Sequence, residues 1–290
     1  MAGDHGVTAE GVSAFPQEVT VQMIHNFVNG GAGVNVLARQ AGARVVVVDV
    51  GVAGDLTGLT ASGAILSRRI GPGTNNISRG PAMTTTQAHQ AIEVGIQLVD
   101  DLAGQTDLFA TGEMGIGNTT ASSAVVAALC NVDPQLTTGQ GTGIDEERLR
   151  AKMRIVQRAL EVNQPDPGDP VDVLAKVGGF EIGAIAGLVL CAALRRKPII
   201  IDGFIASAGA TLAHALCPIV ADYIIAAHRS PEPGHGVALE QLGKMPLLDL
   251  GMRLGEGTGA VLAMHLVKAS VCILTEMATF DGAGISGSTL

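Results

Sequence analysis

The stretch Thr106-Asp107-Leu108-Phe109-Ala110-Thr111-Gly112-Glu113-Met114-Gly115-Ile116-Gly117-Asn118-Thr119-Thr120-Ala121-Ser122-Ser123 decides the fold. Its opening residues, Thr106 to Thr111, read as a strand. Glycines follow at 112, 115 and 117, and hydroxyl-bearing residues then start a helix that runs to Leu129. Strand, glycine turn and helix are the parts of a parallel α/β unit. Glycine lets a backbone take left-handed geometry and approach an anion closely. The first turn of a helix offers N–H donors at the positive end of its dipole. With Thr119, Thr120 and Ser122 adding hydroxyls and Asn118 able to donate or cap, Gly112 to Thr120 reads as a phosphate-binding turn.

Outward from that turn the same alternation recurs. Arg44 to Val50 and Pro198 to Asp202 are β-branched runs apolar on both faces, and Ile219 to Ala226 is a fourth candidate strand. Helices are expected at Gln17–Gln40, Thr84–Ala103, Asp145–Asn163, Phe180–Leu194 and Ser207–His214, with a long amphipathic helix at Thr258–Met277. Apolar strands between helices predict an α/β fold, a parallel sheet covered by helices on both faces. The strands at 45–50 and 199–202 end in Asp49 and Asp202, where such sheets collect ligands or where an Asp shapes a turn. The residues from Phe280 to Leu290 read as turn-like.

Composition narrows the class. The 290 residues are 47% hydrophobic and 16% charged, with 39 Gly and no Trp, so the core is built from small side chains. A chain of this length buries roughly three quarters of its unfolded surface. The net charge of -9, with one cationic run at Arg195-Arg196-Lys197, argues against a nucleic-acid partner. Cys130, Cys191, Cys217 and Cys272 are widely spaced and read as buried free thiols of a reducing, cytoplasmic compartment. The apolar run Ile182–Leu194 is shorter than the roughly 20 residues of a membrane span, and neither a membrane role nor a secretory signal is expected.

Two familiar motifs nearly fit the turn. Gly112 to Gly117 has P-loop glycine spacing, but Asn118 stands where the lysine belongs, so the cation must come from elsewhere. Lys152, beyond the Gly139–Gly143 glycine turn, is the candidate. Gly115-x-Gly117-x-x-Thr120 is an imperfect dinucleotide fingerprint, and Asp133 lies near the distance of a ribose-binding acid. That leaves an NAD-type dinucleotide-dependent oxidoreductase open. Glu113 would repel a phosphate unless it serves another group, such as the ribose hydroxyls. A second glycine-framed acid stands in Arg253-Leu254-Gly255-Glu256-Gly257-Thr258. Apolar surroundings would raise the pKa of Glu256, as a general base requires. His5, His228 and His235 form no metal-ligand pattern, and neither a metal nor a cofactor is expected.

Several motifs together carry a resemblance: Asp4-His5-Gly6-Val7 with Glu10-Gly11-Val12, Gly112 to Thr120, Leu174 with Val177-Gly178-Gly179-Phe180, Asp202-Gly203-Phe204, and Arg253 to Gly257. In this order, over nearly the whole chain, they resemble the nicotinate-nucleotide–dimethylbenzimidazole phosphoribosyltransferases. The resemblance implies a Rossmann-like sheet in a large domain, residues 30–250. It also implies a small helical domain from both chain ends, 1–29 and 251–290, in a homodimer. It implies transfer of phosphoribose from nicotinate mononucleotide to 5,6-dimethylbenzimidazole, with Glu256 as catalytic base. Glu113, Gly115, Asn118, Thr119, Gly141, Lys152, Asp202 and Ser230 match the nucleotide contacts. Phe15, Pro16, Met23, Leu254 and Gly255 fall at base-contacting positions, where Phe15 and Met23 make the pocket more apolar than in some members. Members usually carry a helical segment and a strand ahead of Asp-His-Gly, so a shortened N-terminal part, and with it an inactive nucleotide-binding relative, is a further expectation.

Overall fold

In the computed structural model of the chain, residues 1–141 and 143–287 are described. Thr142, inside the Gly139–Gly143 turn, and residues 288–290 of the tail lie outside them. The elements run β1 (Ala2–Gly3), α1 (Val19–Val28), α2 (Gly33–Ala41), β2 (Val48–Gly51), α3 (Thr57–Ala61), β3 (Leu66–Ser67) and α4 (Thr85–Leu102). Then follow β4 (Phe109–Ala110), α5 (Asn118–Cys130), α6 (Glu146–Asn163), α7 (Pro170–Val177), α8 (Phe180–Leu194) and β5 (Ile199–Ile201). The chain closes with α9 (Phe204–Leu216), β6 (Ile224–Ala226), α10 (Pro233–Leu242) and α11 (Thr258–Glu276).

The strands form two parallel three-stranded sheets, β1-β2-β3 and β4-β5-β6. They are stitched at Met114, whose N–H donates to Met1 and whose carbonyl accepts from Gly3. The parallel α/β expectation holds, with the sheet in two parts. Strand cores such as Ile199, Ile200 and Ile201 are buried on both faces, as helices on both sides require.

Local chemistry sets the helix ends. Thr84 caps α4 by accepting the Gln87 N–H, Asp145 caps α6 through Arg148, and Asp169 caps α7 ahead of Pro170. The expected helix 17–40 is two helices, because Asn29-Gly30-Gly31 breaks it with Gly30 at φ 74°. The expected strand at Ile219 begins as a 3-10 turn over Pro218–Tyr223, leaving only Ile224–Ala226 extended. Helix α8 is buried around its circumference, so its apolar run is core. It meets α4 so closely that a Cβ on Gly95 would stand 1.9 Å from the Ala184 carbonyl oxygen.

Helix α11 corrects an expectation. Its buried residues are confined to Thr258 through Ala263, and beyond them Leu266, Val271, Ile273 and Leu274 face outward beside Lys268 and Ser270, so no apolar face of the outer half is covered by the described residues. By length and composition alone, with a mean hydropathy of 1.6 and 28% of it buried, it would suffice to cross a membrane. The four thiols are free, but only Cys191 is buried and Cys272 is exposed on α11.

Candidate active site

The site is assembled where the β4–α5 turn meets the α11 entry. Glu256 sits between Gly255 (φ 76°) and Gly257 (φ 99°) and is itself left-handed at φ 66°. A non-glycine residue held there costs about 1 kcal/mol, so the surroundings must hold it. They do so through Asp202 at the end of β5, which accepts the Gly257 N–H at 3.2 Å and the Ala260 N–H at 2.9 Å. Asp202 thus caps α11 and fixes the glutamate turn. Burial pushes its carboxyl up, while nearby His228 and the backbone donors work against the shift. Asp49, the other strand-end acid, accepts the N–H groups of Gly51 and Val52 and shapes its own turn.

The Glu256 carboxylate reaches the start of α2, where it accepts the Val34 N–H at 3.3 Å. Burial nevertheless raises its pKa, against the backbone bonds from Val34 and Gly33. Such a group is a stronger base than a solvated carboxylate.

Glu113 faces this turn. A Cβ on Gly255 would lie 3.0 Å from Glu113 Oε1, and one on Gly112 would lie 2.4 Å from the Glu256 carbonyl oxygen. Both glutamates also wall one cavity of about 720 Å³ that extends between residues 44–48 and 105–111. The two acids therefore share a cleft. Burial, then the charges of Asp202 and Glu181, push Glu113 up to about 7. The Asn118 amide donates to its Oε2. A carboxyl that is protonated part of the time at neutral pH repels an anion less than an ionised one.

Asn118 opens α5 behind Gly117, and among the described residues no N-cap side chain bonds that helix start, in contrast to α4, α6 and α7. Lys152 on α6 is 1% exposed and donates to the Gly139 carbonyl at 3.1 Å. Burial lowers its pKa to about 8, with the charge of Glu232 opposing, so the ammonium persists at neutral pH. A Cβ on Gly141 would meet Lys152 Nζ at 3.1 Å and Thr119 Oγ1 at 3.2 Å, which places these three residues together. Ser230 donates its N–H to His235 Nδ1 at 2.9 Å. Burial lowers the His235 pKa to about 4, so the ring stays neutral and can accept.

The base-contacting candidates divide. Leu254 lies against the start of α2, where a Cβ on Gly33 would meet its Cδ2 at 2.7 Å, and Met23 packs beside Phe27, Val34 and Val261. Phe15 is 51% exposed and Pro16 is exposed, both on the loop before α1. None of these, nor Gly255, Lys152, Gly141 or Ser230, walls the large cavity. That cavity adjoins the two glutamates and does not outline the whole site.

Sequence reasoning missed the floor under the turn. Asp4 accepts from Thr20 Oγ1 at 2.6 Å, and that hydroxyl accepts the Ile116 N–H at 3.2 Å. His5 Nε2 and Glu181 Oε1 stand 2.7 Å apart, both fully buried. Burial opposes charge on the ring, but Glu181 and the charges of Asp4 and Glu113 together hold the His5 pKa up. The motif containing Asp4 and His5 was visible; Glu181, 176 positions away, had no local signal.

Comparison with known proteins decides the family. A family model described as phosphoribosyltransferase matches residues 1–285. A nicotinate-nucleotide–dimethylbenzimidazole phosphoribosyltransferase of Syntrophotalea carbinolica is 62% identical over 286 residues, 99% of this chain and 81% of the relative. The chain belongs to the nicotinate-nucleotide–dimethylbenzimidazole phosphoribosyltransferase family. The enzyme of that name from Geobacter sulfurreducens is 55% identical, with 98% of this chain and 80% of the relative covered. The crystal structure of CobT from Thermus thermophilus superposes with a TM-score of 0.93 at 48% identity, over 99% of this chain and 85% of that one. Membership in this transferase family answers the dinucleotide alternative, and geometry agrees. Asp133 is exposed and accepts the Gln135 N–H at 2.8 Å, capping its own short turn.

Proposed function

We infer that the chain moves the 5-phosphoribosyl group from nicotinate mononucleotide to 5,6-dimethylbenzimidazole, releasing α-ribazole 5′-phosphate and nicotinate. The observation that carries this reading is the shared cleft: a half-buried, strained glutamate at 256 facing a second glutamate in a glycine turn at the start of α5. Glu256 takes the benzimidazole N–H proton while the opposite nitrogen attacks C1′ from the α face. The C1′–nicotinate bond breaks, nicotinate leaves with that bond's electron pair, and the anomeric centre inverts. Charge building on the ribose is balanced by nearby carboxylate and carbonyl oxygens. Glu113 and Asn118 face the ribose. Gly115 and Thr119 form the turn around it, and Lys152, Gly141 and Ser230 hold the phosphate as a handle that positions C1′. Asp202 acts by holding the Glu256 turn. Leu254 and Gly255, with Met23, Phe15 and Pro16, receive the base.

The base side belongs to a small domain drawn from 1–29 and 251–290, packed on a large domain of 30–250. Packing of Val261 with Phe27, Ala32 and Val34 supports that junction. The protein acts as a homodimer, a reading supported by the outward apolar half of α11, where Leu274 is 85% exposed. Incubation with nicotinate mononucleotide and dimethylbenzimidazole tests the activity. A product of the mass of α-ribazole phosphate, with the α configuration by proton NMR, is expected. Nucleotide binding without product would leave only a binding relative.

A further inference from the structure

One carboxylate in the nucleotide site has no part in that chemistry. Glu232 is the residue before α10, yet its side chain does not cap that helix. It crosses instead to the Gly139–Gly143 turn, where Oε1 accepts the Gly141 N–H at 2.8 Å. Its Oε2 is buried with no hydrogen-bond partner among the described residues. Gly139 approaches it closely: a Cβ there would stand 2.2 Å from Oε2. The negative charge also acts on Lys152, whose ammonium donates to the Gly139 carbonyl of the same turn. Ser230 Oγ accepts the Glu232 N–H at 3.3 Å, which brings the last of the phosphate-holding residues to the same place.

A carboxylate there sits where a phosphate would be an intruder. Two anions cannot share one backbone N–H and one buried ammonium without strong repulsion. A carboxylate with one bonded and one bare oxygen is also poorly compensated for its burial, so it is ready to leave. Resting on the nucleotide-site reading above, we propose that Glu232 is an internal stand-in for the substrate phosphate: it occupies the Gly141 N–H and neutralises Lys152 in the empty enzyme, and is displaced when the nucleotide phosphate arrives. The exchange keeps a negative charge near the buried lysine between turnovers. It also makes the site selective, because a free small anion must displace Glu232 without the help of ribose and nicotinate contacts. Glu232 is therefore a specificity-determining residue for the phosphate end.

Calorimetric titration of wild type and Glu232→Gln with nicotinate mononucleotide, inorganic phosphate and nicotinate riboside tests this. The glutamine keeps an acceptor for Gly141 and removes the charge. Relieving an internal competitor raises the binding-competent fraction, so Kd for mononucleotide and for inorganic phosphate should fall roughly 5- to 20-fold, with the riboside unchanged. Equal or weaker phosphate and mononucleotide binding in the variant would overturn the proposal, as would a parallel change for the riboside, which marks a structural role. A crystal structure of the wild type with inorganic phosphate avoids reliance on the variant. Phosphate accepting the Gly141 N–H with Glu232 withdrawn is expected, and Glu232 still bonded to Gly141 beside bound phosphate refutes displacement. Failure of the wild type to bind any of the three ligands would overturn the nucleotide site itself, and the stand-in with it. Mononucleotide binding without displacement overturns the stand-in alone.

Discussion

Each acid of the site differs from a solvated carboxylate for its own reason. Glu256 is desolvated at the mouth of α2, and Glu113 is pressed by burial and two further acids. The second effect has a consequence for folding. At low pH both folded and unfolded chains carry the Glu113 proton. As pH rises from the usual 4.5 toward about 7, the unfolded chain releases it while the folded chain retains it. The unfolded state then binds fewer protons, so stability falls through that window and the loss is complete above it. Glu113→Gln is expected to remove this component: urea denaturation should find the variant gaining stability over wild type between pH 5 and pH 8. An unchanged difference would show that Glu113 titrates normally. Lys152 belongs to the same scale. Its replacement by Ala should raise the nucleotide KM roughly 10- to 100-fold, the worth of a charged hydrogen bond, with kcat nearly intact in steady-state assays. A fall in kcat alone would remove its role as handle.

Among the elements, the α4–α8 contact and α11 make opposite predictions. Gly95 has no room for a methyl group against the Ala184 carbonyl. Gly95→Ala should cost about 1–3 kcal/mol by overpacking, read as a lower midpoint of denaturation. On α11 no described residue covers Leu274, which is 85% exposed. On the homodimer proposed above, Leu274→Glu should shift the molecular mass by light scattering from dimer toward monomer, with monomer fold retained by circular dichroism. A dimer that survives would place the interface elsewhere. The elements also show what was legible. Phe180–Leu194 and Asp145–Asn163 were read nearly to the residue, because continuous apolarity in one and an Asp cap in the other are local signals. The break at Asn29-Gly30-Gly31 was passed over in favour of periodicity. The helices Pro170–Val177 and Pro233–Leu242 were not among those expected, although each opens with a proline at its first position, where the missing N–H costs nothing. The amphipathic reading of α11 gave no sign that only its first turns are buried, because burial depends on what the helix packs against.

Across the whole molecule, the fold brings Glu113 and Glu256, 143 positions apart, to one cleft, and sets Asp202 against the Glu256 turn. The glycine turn and Glu256 were readable because each carries a local pattern. Asp202 was identified as a site residue, but its job as cap of α11 could be seen only once β5 and α11 were placed side by side. Glu181 and Glu232 were invisible, since their roles arise from long-range contacts with His5 and Gly141. What holds these pieces together is the claim that the acid at 256 removes the acceptor's proton as the ribosyl bond forms. The single-turnover rate of Glu256→Ala with saturating mononucleotide and dimethylbenzimidazole measures it directly. A fall of about 10²- to 10⁴-fold, with mononucleotide Kd unchanged, is the predicted result. An unimpaired rate would contradict the account.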